Sequence, residues 1–450
     1  MDVVLWALGI LLIVVGLGAS IALHEIGHLI PAKAFGVKCT QYMIGFGPTI
    51  WARRRGETEY GLKAIPLGGY VRMIGMIPPR PGDQPGQLRD SSTGRFGAMV
   101  EQARHESMVE IAPGDEDHVF YKLSVPKKIA VMLGGPLMNL ALAFVLLVVL
   151  MSGIGVESLV PRISKIADCV PTAAPTLAKP LADCTPGDPT PPAAAALRVN
   201  DTIVEANGRP VTRWSDLTEA IRGSAGQSLS LVVERDGARV PVTLAVVPVR
   251  RAAYDAETNR LKVGPDGAIV TETVGFLGVS ASIDFVRSPI TAAPARFGET
   301  LAATAKVLVS VPEKLVGVVK AVTGQGERDP NGPISVVGVA RAGGEVVAAD
   351  LGTTDQVRAK ASIIVGMLFG LNLALFLFNL VPLLPLDGGQ IVGAAWEGIK
   401  RRGAKLLGRP DPGYVDVAKG LPIAYAVSMV LIAMTLLLVY ADLVSPVKLS

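Results

Sequence analysis

Residues 3–28 read VVLWALGILLIVVGLGASIALHEIGH. No charge falls between 3 and 23, and that length exceeds the roughly 20 residues a helix needs to cross the bilayer's hydrocarbon. The run ends on His24, Glu25 and His28. Ionisable groups at such a place are costly, and chemistry is the usual reason for them. Three further apolar blocks follow at 129–156, 361–386 and 420–441. The expected fold is an α-helical multi-pass membrane protein with four transmembrane helices and soluble insertions. The first block has no basic residue before it and no A-x-A site after it, so a retained span is expected rather than a signal peptide.

Composition agrees. Of 450 residues, 50% are hydrophobic and 18% charged, and the mean hydropathy is +0.44, which argues against a purely soluble enzyme. A formal charge of +4 is too small at this length to mark a nucleic-acid binder. Lys and Arg set the orientation. Lys33, Lys38, Arg53, Arg54, Arg55, Lys63 and Arg72 follow the first block, and Lys127 and Lys128 open the second. Lys400, Arg401, Arg402, Lys405 and Arg409 lie between the third and fourth. Those loops are expected to be cytoplasmic, with both termini and 157–360 outside. Cys39 then stands alone on the reducing side, while Cys169 and Cys184 share an external stretch where a disulfide can persist.

The spans are placed at 1–30, 128–156, 361–387 and 420–443. Residues 31–77 are expected to form a cytoplasmic, membrane-associated β region, with strands at 43–50, 60–65 and 70–74 punctuated by glycine. Residues 78–127 read as a polar, flexible stretch, and 388–419 as a cytoplasmic loop. Outside, 157–275 reads as a compact module. It runs from a strand at 162–166 through the Cys-bearing insertion, a small-residue helix and turns at Asn200-Asp201 and Asn207-Gly208. A helix at 214–221 and a hairpin of 229–234 with 240–247 complete it. That order resembles a PDZ domain in the permuted arrangement of bacterial proteases; such domains add an extended peptide to a sheet edge. A small β domain without a ligand is the alternative. Residues 276–360 are expected to be a linker whose 297–322 segment suits an amphipathic helix at the membrane surface or the outer ends of the spans.

His24 and His28 are one helical turn apart, so both imidazoles can share one Zn²⁺, and Glu25 can take a proton from the attacking water. Two histidines leave a catalytic zinc one protein ligand short. The candidate third is Asp387, within NLVPLLPLDGG at 379–389, where Pro382 and Pro385 break the helix. Broken helix at membrane depth is tolerated where it lines a cavity or is buried in protein. Asn379 offers an amide to substrate backbone or a developing oxyanion. Asn139, in GGPLMN at 134–139, and Asn372 are weaker candidates, with polar contact between spans as the other reading. His105 and His118 are expected to be solvated.

HEIGH at 24–28, NLVPLLPLDGG at 379–389 and the module between the second and third spans together resemble a site-2 protease. Within that family of intramembrane zinc metalloproteases the chain is similar to the bacterial branch that cuts membrane-bound anti-sigma factors. GFGP at 45–48 and PLGGYVRM at 66–73 resemble the family's membrane-associated β-hairpin, and GPIS at 332–335 its segment before the third span. The resemblance implies His24, His28 and Asp387 as ligands of one zinc ion, Glu25 as base and Asn379 beside the substrate strand. Gly45, Phe46, Gly47, Gly68, Gly69 and Asn139 join it as substrate-binding candidates. It also implies single-pass membrane substrates shortened beforehand by an upstream protease, and a peptide ligand for the PDZ-like module; no nucleic acid is expected. The single PDZ-like unit and the insertions at 78–117 and 168–191 depart from some relatives.

Two other readings compete. A membrane metalloprotease of another clan would usually take a downstream Glu as third ligand. A non-enzymatic adaptor with a structural metal would need four protein ligands.

Overall fold

The computed structural model describes residues 3–79, 95–176, 183–254, 261–264, 268–326, 328–329, 332–353 and 355–446. The chain forms two compact units, Met1–Ile154 with Arg287–Ser450, and Gly155–Val286. In chain order the first unit opens with α1 (Val3–Ala34), β1 (Cys39–Arg55), β2 (Thr58–Met73), α2 (Arg95–Val109) and α3 (Val125–Val148), prolonged by a π-helical turn. The second holds β3 (Val156–Ile166), β4 (Thr202–Ala206), β5 (Arg209–Pro210), α4 (Trp214–Gly223), β6 (Ser228–Arg235) and β7 (Ala238–Ala245). It ends with β8 (Val247–Ala252), β9 (Thr271–Phe276) and β10 (Val279–Val286). The first unit resumes with α5 (Ala293–Val309), α6 (Val311–Val322), α7 (Val336–Ala348), α8 (Gln356–Asn379), α9 (Asp387–Leu406) and α10 (Leu421–Val444).

Four helices are long and apolar enough to cross a membrane: Val3–Ala34, Val125–Ile154, Gln356–Asn379 and Val417–Val444. They overlap the four apolar blocks, but the third helix begins before the expected 361–387 and ends at Asn379, because Pro382 and Pro385 stop it. Lipid is as apolar as leucine, so spans associate through close packing and polar contacts. α1 does this twice through glycine. A Cβ on Gly9 would strike the Gly343 and Gly344 backbone of α7, and one on Gly27 would strike Gly134 of α3. Ser20 of α1 takes a 2.9 Å hydrogen bond from the Asn372 amide of α8, which also donates to the Leu368 carbonyl. Asn372 therefore joins two spans.

Beside α1 lies the β1–β2 sheet. Tyr42, Met43 and Ile44 pair on one side with Val71, Tyr70 and Gly69, and on the other with Tyr60, Gly61 and Leu62. Residues 39–44 are thus interior, and 69–73 lie at an edge. The Tyr42 hydroxyl donates to the Ala22 carbonyl (2.8 Å), which ties this sheet to α1.

Several expected boundaries move. The stretch 78–127 contains α2, while 80–94 lies outside the described residues. Its anchors are polar, with buried Arg104 bonded to Asp416 at 2.9 Å and to the Pro78 carbonyl, so no apolar stripe announced it. Most of the supposed loop 388–419 is α9, which packs on α3 through Ile391 and Glu397. The single helix expected at 297–322 is two. Pro312 has no N–H for the Leu308 carbonyl, and the chain breaks at Ser310. α5 then packs Phe297 against Phe144 and Phe369, and α6 packs Val318 against Leu438 and Ala441 of α10.

The second unit has strand order β10-β3-β4-β6-β7, with β5 on β4 and a separate β8–β9 pair. Alternation puts Ile163, Ile203, Leu229, Leu231 and Val233 inward, where Leu217 of α4 and Leu277 complete an aliphatic core. Asn200 and Asn207 both adopt positive φ at the expected turns. The β6–β7 hairpin turns at Asp236-Gly237, as expected. The expected limit at 275 cuts β9 and omits β10, which pairs along β3; the unit runs to Val286. The expected small-residue helix is one 3₁₀ turn, Pro192–Ala195. Cys169 and Cys184 are bridged, and Cys39 is free and buried.

Candidate metal centre

α1 delivers half of the site. His24 and His28 stand on one face with their Nε2 atoms 3.2 Å apart. His28 Nδ1 lies 2.8 Å from the Val131 carbonyl oxygen of α3. A carbonyl only accepts, so Nδ1 carries the proton and Nε2 is left with its lone pair. That placement depends on Gly135, because a Cβ there would overlap His28 Nε2. Sequence reasoning passed over Gly134 and Gly135; the available signal was a glycine doublet before proline inside an apolar helix, where neither residue favours the fold.

Asp387 supplies the other half. It is the first residue of α9, after the broken stretch 380–386. Any Cβ on Gly388 would overlap the Leu380 and Val381 carbonyls, so only glycine lets the chain fold back this tightly. Asp387 Oδ2 lies 3.3 Å from His24 Nε2 and 3.4 Å from His28 Nε2. His24, His28 and Asp387 form a group able to hold a metal ion, with their ligating atoms within 4.8 Å of one another.

The three donors fit zinc. Ligands about 2.0–2.1 Å from a tetrahedral zinc stand roughly 3.3 Å apart, which the observed triangle matches. Asp387 Oδ2 is buried and makes no hydrogen bond among the described residues. Three protein donors among the described residues, rather than four, are the complement of a catalytic site.

Glu25 is buried beside them, against the edge of the β1–β2 sheet. A Cβ on Gly69 would come within 2.9 Å of Glu25 Cγ, and the Val71 backbone N–H faces the Glu25 carboxylate. Gly69 therefore lets the strand approach the acid. Gly45, Gly47 and Gly68 all have positive φ, which explains their identity through the backbone alone. The Phe46 ring stacks on Tyr70 with centroids 6.3 Å apart. Asn379 ends α8 half-buried, and no hydrogen bond joins it to the triad among the described residues. Asn139 is buried one turn beyond Gly135 on the same face of α3, with both amide atoms unpaired among the described residues. His118 Nδ1 pairs with the Gly36 carbonyl (2.7 Å) and His105 is exposed, so neither enters the site.

An H-E-x-x-H helix and a carboxylate from a distant helix, meeting among helices of membrane-spanning length, define a membrane metallopeptidase. Residues 12–407 match the sequence profile of peptidase family M50, and the chain belongs to that family. It is 34% identical over 447 residues to the zinc metalloprotease Rip1 of Mycobacterium tuberculosis, covering 98% of each chain. Identity to the zinc metalloprotease RasP of Bacillus licheniformis is 28%, over 88% of this chain and 91% of that one. To the regulator of sigma-W protease RasP of Bacillus subtilis it is 25%, with the same coverage. Family membership removes the other-clan and adaptor readings.

Proposed function

We propose that this chain is a zinc-dependent intramembrane protease that hydrolyses peptide bonds within or near the span of single-pass membrane proteins, anti-sigma factors among them. The observation that carries this reading is the His24–His28–Asp387 triangle, closed around a point next to Glu25. The name of the Bacillus subtilis relative supports the link to sigma-factor control.

His24, His28 and Asp387 would hold the ion, which when bound would acidify the attacking water and polarise the scissile carbonyl. Glu25 takes the water's proton and returns one to the leaving amine. The substrate helix must first unwind, since its carbonyls are tied up internally. Residues 69–73 offer an edge strand beside Glu25, and pairing there replaces the lost bonds. Lys and Arg placement supports a cytoplasmic position for this sheet and an external one for the second unit. We read the second unit as a PDZ-like filter admitting substrates already shortened outside by another protease. The end position of β10 in the sheet order leaves it an edge for an added peptide strand.

The test uses purified enzyme in lipid nanodiscs with a single-pass substrate lacking its external domain. Cleavage mapped by mass spectrometry should fall within or beside the span, and Glu25→Gln should slow it by about 10²–10⁴-fold. Cuts confined to soluble segments would overturn the reading. Val71→Pro should slow a helix-stable substrate more than one whose span already contains helix breakers, with zinc retained. Equal rates on both substrates would leave the edge strand without a role.

A further inference from the structure

The three metal donors belong to two pieces of chain that nothing local holds in register. His24 and His28 share α1, whereas Asp387 opens α9. The link from α8 to α9 contains Pro382 and Pro385 and no continuous helix, so the tight turn that Gly388 closes on the Leu380 and Val381 carbonyls joins α9 to α8 without helical hydrogen bonds to fix the direction and roll of α9. α9 must be placed by its own packing, and its buried charged contact is with α3. Lys128 Nζ donates to both carboxylate oxygens of Glu397, at 2.9 Å each. Both residues are almost wholly buried, Lys128 at 5% exposure and Glu397 at 2%.

Glu397 is held from several sides. It accepts the Val415 backbone N–H at 3.1 Å and lies 3.3 Å from the Arg401 guanidinium. The Tyr414 ring sits 5.0 Å from Lys128 Nζ and 5.0 Å from the Arg401 Cζ. One turn from Lys128 along α3 are Val131, whose carbonyl orients His28, and then Gly135, which makes room for its Nε2. A single stretch of α3, 128–135, thus grips α9 at one end and the histidine helix at the other. A buried ion pair is weak evidence for stability, because apolar residues of the same shape often serve as well or better. Its attested use is to fix register, since sliding or rolling α9 would strand two buried charges.

We propose that the Lys128–Glu397 pair is a positioning device for the metal centre, clamping α9 and hence Asp387 against the part of α3 that orients His28. This rests on the reading of His24, His28 and Asp387 as ligands. Neither Lys128 nor Glu397 touches the ion or substrate; both act through α9.

The experiment is zinc affinity by chelator competition on the full-length protein in nanodiscs, with the melting temperature of the zinc-free form measured in parallel. Glu397→Gln keeps an acceptor for Val415 and removes the charge, and Lys128→Met removes the charge at similar length. Each should weaken zinc binding by about 10–100-fold, the usual effect of losing a group that orients ligands. Lys128→Arg, which keeps the charge, should restore binding to within about threefold of the native protein, a small part of that range. A lowered melting temperature with native zinc affinity in Glu397→Gln would show a merely structural pair and overturn the proposal. Native affinity in Asp387→Ala alone would instead remove the ligand assignment itself. Glu397→Gln serves the test even if Lys128→Met does not fold.

Discussion

The two units are held together by different means. In Gly155–Val286 the core is aliphatic, built from Leu229, Leu231, Val233 and Leu217. In the other unit helices meet glycine on backbone, at Gly27 with Gly134 beside the metal centre and at Gly9 with Gly343 farther along α1, alongside buried polar pairs. Burial of apolar area drives the first kind of core, because the competing state is solvated by water. Between spans the competing state is solvated by lipid, and only close approach and polar contact remain. Glycine to alanine should therefore be harmful where α1 meets α3 and harmless at a second-unit glycine that meets open space, such as Gly223.

The largest effect is expected from Gly135→Ala. Its new methyl group overlaps His28 Nε2, the proposed ligating nitrogen, so zinc binding should fall by about 100-fold, the upper end for losing an orienting contact. Gly223→Ala in α4 of the second unit meets open space. It should leave stability unchanged or raise it by up to about 1 kcal/mol. Metal affinity and thermal unfolding of the two variants, side by side, break the comparison if both prove neutral.

Next in size is Leu231→Ala, which removes a fully buried side chain from the aliphatic core. It should destabilise the second unit by about 2–5 kcal/mol, read as lost hydrogen-exchange protection in β4, β6 and β7. Zinc affinity should not change.

The smallest effect concerns pH. The Arg235 guanidinium bonds Asp201 at 2.8 and 2.7 Å and holds its carboxyl below the usual carboxylate range. A depressed folded-state pKa gives stability that is present above the unfolded value of about 3.9 and lost as pH falls through the folded one. Protection in the second unit should thus decline below about pH 4, and Asp201→Asn should flatten that decline. An unchanged acid limb in Asp201→Asn would mean the ion pair adds nothing there.

These contrasts also explain what the sequence made legible. The four spans could be read because the bilayer demands long uncharged runs, and α4 with the β6–β7 hairpin because alternation and Asp236-Gly237 mark them. His24, Glu25 and His28 could be read from their spacing on one helix. Asp387 needed a different signal, an acid beside a proline-broken span. α2 and α9 were missed because their anchors, Arg104–Asp416 and Lys128–Glu397, are polar and remote in sequence. Gly135 was missed because nothing in its own neighbourhood announces that a histidine ring from another helix will rest on it.

The most direct measurement of the central claim is zinc content beside turnover in four purified variants. His24→Ala, His28→Ala and Asp387→Ala each remove a donor and are expected to lose zinc and activity together. Glu25→Gln removes only the proton acceptor, so it should keep zinc and lose turnover. Full zinc occupancy in Asp387→Ala, or native turnover in Glu25→Gln, would contradict the account.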